Sequence, residues 1–147
     1  MNLHKDSKEF IELLNSNDVR FVIAGAHALA YHGHPRSTGD LDIFIETSPE
    51  NAAKMETVVA QFGFEDTGLK AVDFLGDDHV IQLGLPPNRI DILTILTGLT
   101  FEDVWDGRIE ANLDGLSVNI LSRDDLIANK KALGRPKDIA DLEALEP

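Results

Sequence analysis

Residues 21–45 read FVIAGAHALAYHGHPRSTGDLDIFI, and this stretch decides the fold. Arg20 to Ala24 is a short apolar strand, broken by Gly25. Ala26 to Tyr31 continue as a small helix, and His32 to Gly39 form a loop that contains Gly33, Pro35 and Gly39. Leu41 to Ile45 is the next strand, and Asp40-Leu41-Asp42 opens it. Asp is depleted in strands. Because side chains alternate, Asp40, Asp42 and Phe44 share one face while Leu41, Ile43 and Ile45 share the core face. Two carboxylates about 4 Å apart repel by about 1 kcal/mol in water and about 4 kcal/mol at an effective dielectric near 20. A divalent cation with oxygen ligands is the simplest compensation.

Asp91 repeats the theme, as an acid inside the apolar strand Arg89 to Leu96. If the two strands are neighbours, three carboxylates converge and suit one or two Mg²⁺ ions that also hold substrate phosphates. The alternative is that Asp40 caps a turn after Gly39 and Asp91 is exposed at a sheet edge. Gly25-Ala26 lies where a strand becomes a helix, and free N–H groups there favour an anion. Glycine at such a turn also has a purely steric explanation.

Around this stretch the chain reads as mixed α and β. Ser7 to Asn15 has the spacing of an amphipathic helix, with Ser7 as its cap. Ser48-Pro49-Glu50 starts a helix that runs to about Phe62, where Gly63 closes it. Val72 to Leu75 and Val80 to Leu85 read as strands joined by a hairpin turn at Gly76-Asp77-Asp78-His79, and Pro86-Pro87-Asn88 is a further turn. Thr100 to Gly107 is a short helix, Leu116 to Leu121 a last strand, and Ser122 caps a helix from Arg123 to Leu133. Gly134 ends that helix and Pro136 starts another to Leu145. The fold class is α/β (α+β): a twisted mixed sheet, flanking helices and a C-terminal helical pair, in one domain over residues 1–147.

The chain carries 26 acidic and 13 basic residues and a net charge of −13. Such a chain repels nucleic-acid backbones overall, so any contact needs a local basic patch. Arg123, Lys130, Lys131, Arg135 and Lys137 form one, five of the 13 basic residues. The alternative is a solvated helical face. There is no cysteine, which excludes disulfides and thiolate metal sites and fits a cytoplasmic location. No apolar run is long enough for a membrane span and no signal peptide is expected. His27 and His32 are five apart and make a poor ligand pair; His32 or His34 is better placed at a substrate mouth. Arg36 either reaches a phosphate or acceptor or pairs with a surface acid. Trp105 and Tyr31 are read as packing residues rather than base-stacking platforms.

Gly25-Ala26, thirteen residues, Asp40-x-Asp42, and later Asp91 on an apolar strand resemble the DNA polymerase β-like nucleotidyltransferase superfamily. Residues 31–40 and the tail Asp125 to Lys130, Arg135 to Asp138 and Asp141-Leu142 are similar to small bacterial AbiEii-type, toxin-like members. The resemblance implies Mg²⁺- or Mn²⁺-dependent transfer of an NMP from an NTP to an RNA, protein or small-molecule acceptor. Asp40, Asp42 and Asp91 would be the catalytic and metal residues, with Asp91 helping to activate the acceptor. The N–H groups of Gly25 and Ala26 would hold phosphates, Lys130 would neutralise the triphosphate, and Asp138 would orient the C-terminal part of the site. Arg36 joins the expected nucleotide-binding residues. Where relatives carry Gly or Ser, this chain has Ala26, which keeps the backbone donor and lacks the hydroxyl. The competing expectation is a non-catalytic nucleotide- or metal-binding module, one half of a toxin–antitoxin-like pair with a cognate partner protein.

Overall fold

A computed structural model describes residues 3–34, 39–64, 67–76, 80–85 and 88–146. The strands β1 (Phe21–Ala24), β2 (Leu41–Ile45), β3 (Val80–Leu83), β4 (Ile90–Leu93), β5 (Ile109–Leu113) and β6 (Leu116–Ile120) form a six-stranded sheet in the order β3-β4-β2-β1-β6-β5. β1 and β2 run antiparallel, whereas β2 with β4 and β1 with β6 are parallel. The outer pairs β3–β4 and β5–β6 are antiparallel. β1 is buried at all four positions. On β2 both Ile43 and Phe44 are buried, so the sheet centre is covered on both faces. Phe44, which shares its strand face with Asp42, packs edge-on against Phe101, 5.2 Å between centroids.

The helices are α1 (Lys5–Ser16), α2 (Gly25–Tyr31), α3 (Pro49–Val59), α4 (Phe101–Asp106), α5 (Arg123–Leu133) and α6 (Pro136–Leu145). α1 buries Ser7, Phe10, Ile11 and Leu14, one stripe at helical spacing. Its cap is His4, whose ring accepts from the Asp6 N–H at 3.2 Å, and not Ser7, which is buried inside the first two turns. Ser48 and Ser122 cap α3 and α5 as their sequences predict, accepting from the N–H groups of Asn51 and Asp125. α3 gives way to a π-helical turn at Ala60–Phe64 that contains Gly63 at φ 103°.

Two readings of the sequence change. Ala71–Phe74 is a 3₁₀ turn, not a strand. Asp73 accepts from the Lys70 N–H at 2.8 Å, and Glu56 accepts from the Ala71 N–H at 2.7 Å. These local bonds meet the backbone needs that a ladder would otherwise meet. The expected hairpin turn falls largely on residues 77–79 and the Pro86-Pro87 turn on 86–87, outside the described residues. Strand β5 was not expected at all. It forms a hairpin with β6 through Asp114-Gly115, both at positive φ (52° and 85°).

α5 and α6 are folded back on each other at Gly134, whose φ of 62° ends α5, and Pro136 opens α6. Asn129 of α5 donates to the Thr97 carbonyl at 2.9 Å, and a side chain at Gly98 would meet Ala132. The segment after β4 is thereby clamped to α5, which brings the helical pair over the ends of β2 and β4. Among the described residues no helix is long and apolar enough to cross a membrane.

Candidate active site

The parallel pairing of β2 with β4 places Asp42 beside Asp91. Neighbouring strands lie about 4.8 Å apart, and paired residues project to the same face. On the other side of β2, Asp42 pairs with Ala24, the last residue of β1. The chain then turns at Gly25 into α2, so strand ends and a helix start meet at one end of the sheet. An open cavity of about 420 Å³ occupies this end. Gly25, Ala26 and Gly39 supply backbone to its wall, and Asp40, Asp42 and Asp91 supply carboxylates. Arg89 before β4, Lys130 of α5, and Arg135 and Lys137 at the start of α6 complete it.

Gly25 has φ 63°, a left-handed value that favours glycine. A Cβ there would lie 2.1 Å from Asp42 Oδ2. The close approach of backbone and carboxylate leaves no room for a side chain. No side chain caps α2.

The three acids differ in their surroundings. Asp91 is 9 % exposed and sits on an inner strand, so it is neither an edge residue nor a solvated one. Arg89 donates to both of its oxygens, Nε to Oδ1 at 2.6 Å and Nη2 to Oδ2 at 3.1 Å. Asp40 Oδ1 accepts from the Arg89 backbone N–H at 3.1 Å, and its Oδ2 lies 3.3 Å from Arg89 Nη2. Asp42 has no hydrogen bond or ion pair among the described residues. Burial first, then the charges of Asp91 and Asp40, push its carboxyl up to about 6, against smaller opposing effects of Lys137 and Arg89. The donor chemistry, three hard carboxylates with one left uncompensated, fits a divalent cation. Their present arrangement holds a guanidinium instead: no group of three acids or histidines among the described residues is set as a metal ion requires.

Lys130 lies on the cavity wall but is 5 % exposed, 2.8 Å from Asp141 and 3.6 Å from Asp138. Its charge is therefore committed inside the α5–α6 pair. Asp138 is fully buried, accepts from the Arg135 N–H at 3.1 Å and from Arg135 Nε at 2.6 Å, and so caps α6. Burial disfavours its charge, but the side-chain and backbone bonds from Arg135, with the charges of Arg135 and Lys130, outweigh that and hold the carboxyl below its usual range. Lys137 is exposed at the cavity and has no ion pair among the described residues.

Of the residues singled out in the sequence, Asp40, Asp42, Asp91, Gly25, Ala26 and Lys130 share this cavity. Asp138 stands behind it, against Lys130 and Arg135. Arg36 lies outside the described residues. His32 and His34 do not reach the wall; His32 Nε2 bonds the Leu121 carbonyl at 2.8 Å. His27, 6 % exposed, is held below its usual pKa by burial, against a hydrogen bond to the Asp40 backbone and the Asp40 charge. Trp105 is a packing residue, stacked on Phe101 and covered by the Arg108 guanidinium 3.9 Å from its centroid. The sequence reading missed Arg89 as a site residue. Its signal was an arginine two residues before Asp91, a spacing that projects to one side of an extended chain.

Residues 2–146 match the family described as nucleotidyltransferase of unknown function, DUF6036. The fold is similar to that of a presumed nucleotidyltransferase from Thermotoga maritima, with a TM-score of 0.63 at 16% identity over 94% of this chain and 88% of that one. It is also similar to an antigenic nucleotidyltransferase-like protein from Paracoccidioides brasiliensis, with a TM-score of 0.55 at 17% identity over 99% of this chain and 78% of that one. No curated protein matches the sequence.

Proposed function

Because the chain belongs to the DUF6036 nucleotidyltransferases, we propose that it transfers a nucleoside monophosphate from an NTP to an acceptor and releases pyrophosphate. The observation that carries this reading is the meeting of Asp40, Asp42 and Asp91 with the Gly25-Ala26 turn and four basic side chains around one cavity. Asp40, Asp42 and Asp91 would hold Mg²⁺ or Mn²⁺, which when bound supplies charge neutralisation at the phosphates and a lowered acceptor pKa.

The chain's own residues do the positioning. The first N–H groups of α2 lack intrahelical acceptors, so Gly25 and Ala26 offer donors to phosphate oxygens. Lys137, exposed at the wall and without an ion pair among the described residues, would meet the triphosphate directly. Lys130 acts from behind, because Asp138 and Asp141 hold it. Asp91 would help take the proton from an acceptor hydroxyl. Positioning and electrostatics are the main means by which phosphoryl transfer is accelerated. An NTP-dependent reaction would fit a cytoplasmic location. The acceptor would be an RNA, a protein or a small molecule, and the resemblance of the tail to AbiEii-type proteins would fit a toxin–antitoxin-like partner.

The test uses the full chain with each α-labelled NTP, Mg²⁺ or Mn²⁺, and RNA, protein and small-molecule fractions as acceptors. Label should move to one fraction with release of pyrophosphate, and Asp42→Asn should abolish it. Ala26→Ser, which restores a hydroxyl beside the phosphates, should raise the rate. Nucleotide binding without transfer by either wild type or Ala26→Ser would replace the enzyme with a binding module. That second reading is favoured by Ala26 and by the occupation of both Asp91 oxygens by Arg89.

A further inference from the structure

Arg89 engages all four carboxylate oxygens of Asp40 and Asp91. Its Nε and Nη2 form a two-pronged contact with Asp91 at 2.6 and 3.1 Å. Its Nη2 also lies 3.3 Å from Asp40 Oδ2, while its backbone N–H donates to Asp40 Oδ1 at 3.1 Å. The third acid, Asp42, is paired across the strands with Asp91 yet receives none of these bonds. One positive charge thus serves two carboxylates and leaves the third uncovered. The site keeps a net negative charge that a guanidinium does not cancel. Two charged-group hydrogen bonds in a fork are strong for a side-chain contact. They are not out of reach of exchange, because the Arg89 side chain is 25 % exposed and stands at the cavity wall.

We infer that Arg89 is a displaceable counter-ion: it holds Asp40 and Asp91 in the metal-free chain, and a divalent cation binds by taking their oxygens from it. The inference rests on the reading above in one respect, that the three acids take such a cation. The exchange makes and breaks ion pairs only, with no covalent step. The released guanidinium stays tethered at the cavity wall, where a phosphate replaces the carboxylates as its partner. Arg89 is in this sense a positioning residue. It prevents the acids from repelling one another before the cation arrives, and it competes with the cation for the same oxygens. The backbone bond from Arg89 to Asp40 Oδ1 does not depend on the side chain, so Asp91 is the acid that the exchange frees most completely.

The experiment is a titration of Mn²⁺ alone into the metal-free full chain, with free Mn²⁺ followed by electron paramagnetic resonance. Arg89→Gln should bind Mn²⁺ roughly tenfold more tightly than wild type, a factor that corresponds to about 1.4 kcal/mol. Arg89→Lys, which keeps the charge and loses the fork, should fall between them. Without metal, Arg89→Gln should melt lower than wild type, and Mn²⁺ should close that gap. A second readout needs no variant. The Arg89 Nε–H resonance of ¹⁵N-labelled wild type should move towards that of a solvated arginine as Mg²⁺ saturates. Mn²⁺ binding that is equal or weaker in Arg89→Gln overturns the inference and leaves the metal site standing. So does an Arg89 resonance that Mg²⁺ saturation leaves unmoved. If neither wild type nor Arg89→Gln binds Mn²⁺, the metal-dependent reading itself falls, and the inference with it.

Discussion

Gly25 carries two constraints at once, and both can be measured. Its φ of 63° costs an L-residue roughly 1–2 kcal/mol. A Cβ would also lie 2.1 Å from Asp42 Oδ2, so something must shift. From the sequence, Gly25 reads as a place for phosphate; in the structure the nearer occupant is the Asp42 carboxylate. Gly25→Ala should therefore destabilise the metal-free fold, and part of the loss should return when Asp42→Ala removes the carboxylate. A double-mutant cycle by urea melting measures the coupling. Strictly additive losses would show that the conformational cost acts alone. Asp42 itself yields a pH prediction for the protein in chelator. Its folded pKa of about 6 lies above the ordinary value of 3.8, so the fold favours the proton. That stabilisation is complete below about pH 4 and is lost as pH rises through 6. Asp42→Asn, which carries no charge at any pH, should match wild type near pH 4 and exceed it at pH 8 by up to about 3 kcal/mol. Equal melting curves at both pH values would mean that neither burial nor the neighbouring acids raise the Asp42 pKa.

The α5–α6 pair shows what an element's sequence reveals and what it withholds. Ser122, Gly134 and Pro136 mark its boundaries by local chemistry, and the helices follow them. What Lys130 does is a tertiary fact. Read as a free ammonium, it predicts a weaker nucleotide site with little change in melting. Buried against Asp138 and Asp141, it predicts the reverse order of effects. Lys130→Ala should cost on the order of 3–5 kcal/mol, because a buried ion pair with Asp141 and Asp138 is broken from one side. Urea melts of Lys130→Ala, compared with Lys130→Met/Asp141→Asn, check this: the double variant should recover stability. Asp138 adds a sign. Its folded pKa is depressed, so its stabilisation is present at neutral pH and is lost as pH falls below the ordinary carboxylate range. Elsewhere, legibility followed the range of the forces. β1, β2 and α3 were readable because apolar period and capping residues act within a few positions. Ala71–Phe74 was misread because a short apolar run does not reveal that Asp73 and Glu56 will satisfy its backbone. β5 was missed although Asp114-Gly115 is a strong hairpin signal; its pattern, exposed at Glu110 and Asn112, was too polar to register. The three acids were legible one strand at a time. That they meet depends on β2 pairing with β4, and no local residue encodes that.

At the scale of the whole molecule, a net charge of −13 opposes any polyanionic substrate, yet the described cavity wall carries four basic side chains against three acids. Basic side chains are thereby gathered at the place where a triphosphate would sit, although Asp138 and Asp141 behind the wall offset part of their charge. Three of the four cations have committed charges: Arg89 to Asp40 and Asp91, Lys130 to Asp138 and Asp141, Arg135 to Asp138. Lys137 is exposed, has no ion pair among the described residues, and its field lowers the Asp42 pKa. It is the charge with most to gain from a phosphate. Lys137→Ala should weaken NTP binding by roughly threefold to tenfold, the effect of about 1 kcal/mol for one exposed charge. The melting temperature should hardly move, because no buried partner is left behind. The loss should be largest at 10 mM salt and shrink at 300 mM, since screening shortens the reach of an exposed lysine. It should also be larger for an NTP than for the corresponding NMP, whose phosphate charge is smaller. Calorimetric titration of wild type and Lys137→Ala with all four NTPs and NMPs at both salt concentrations decides the matter. Equal affinities for every nucleotide would assign the attraction to the α2 backbone donors and the bound cation, and would leave Lys137 as surface.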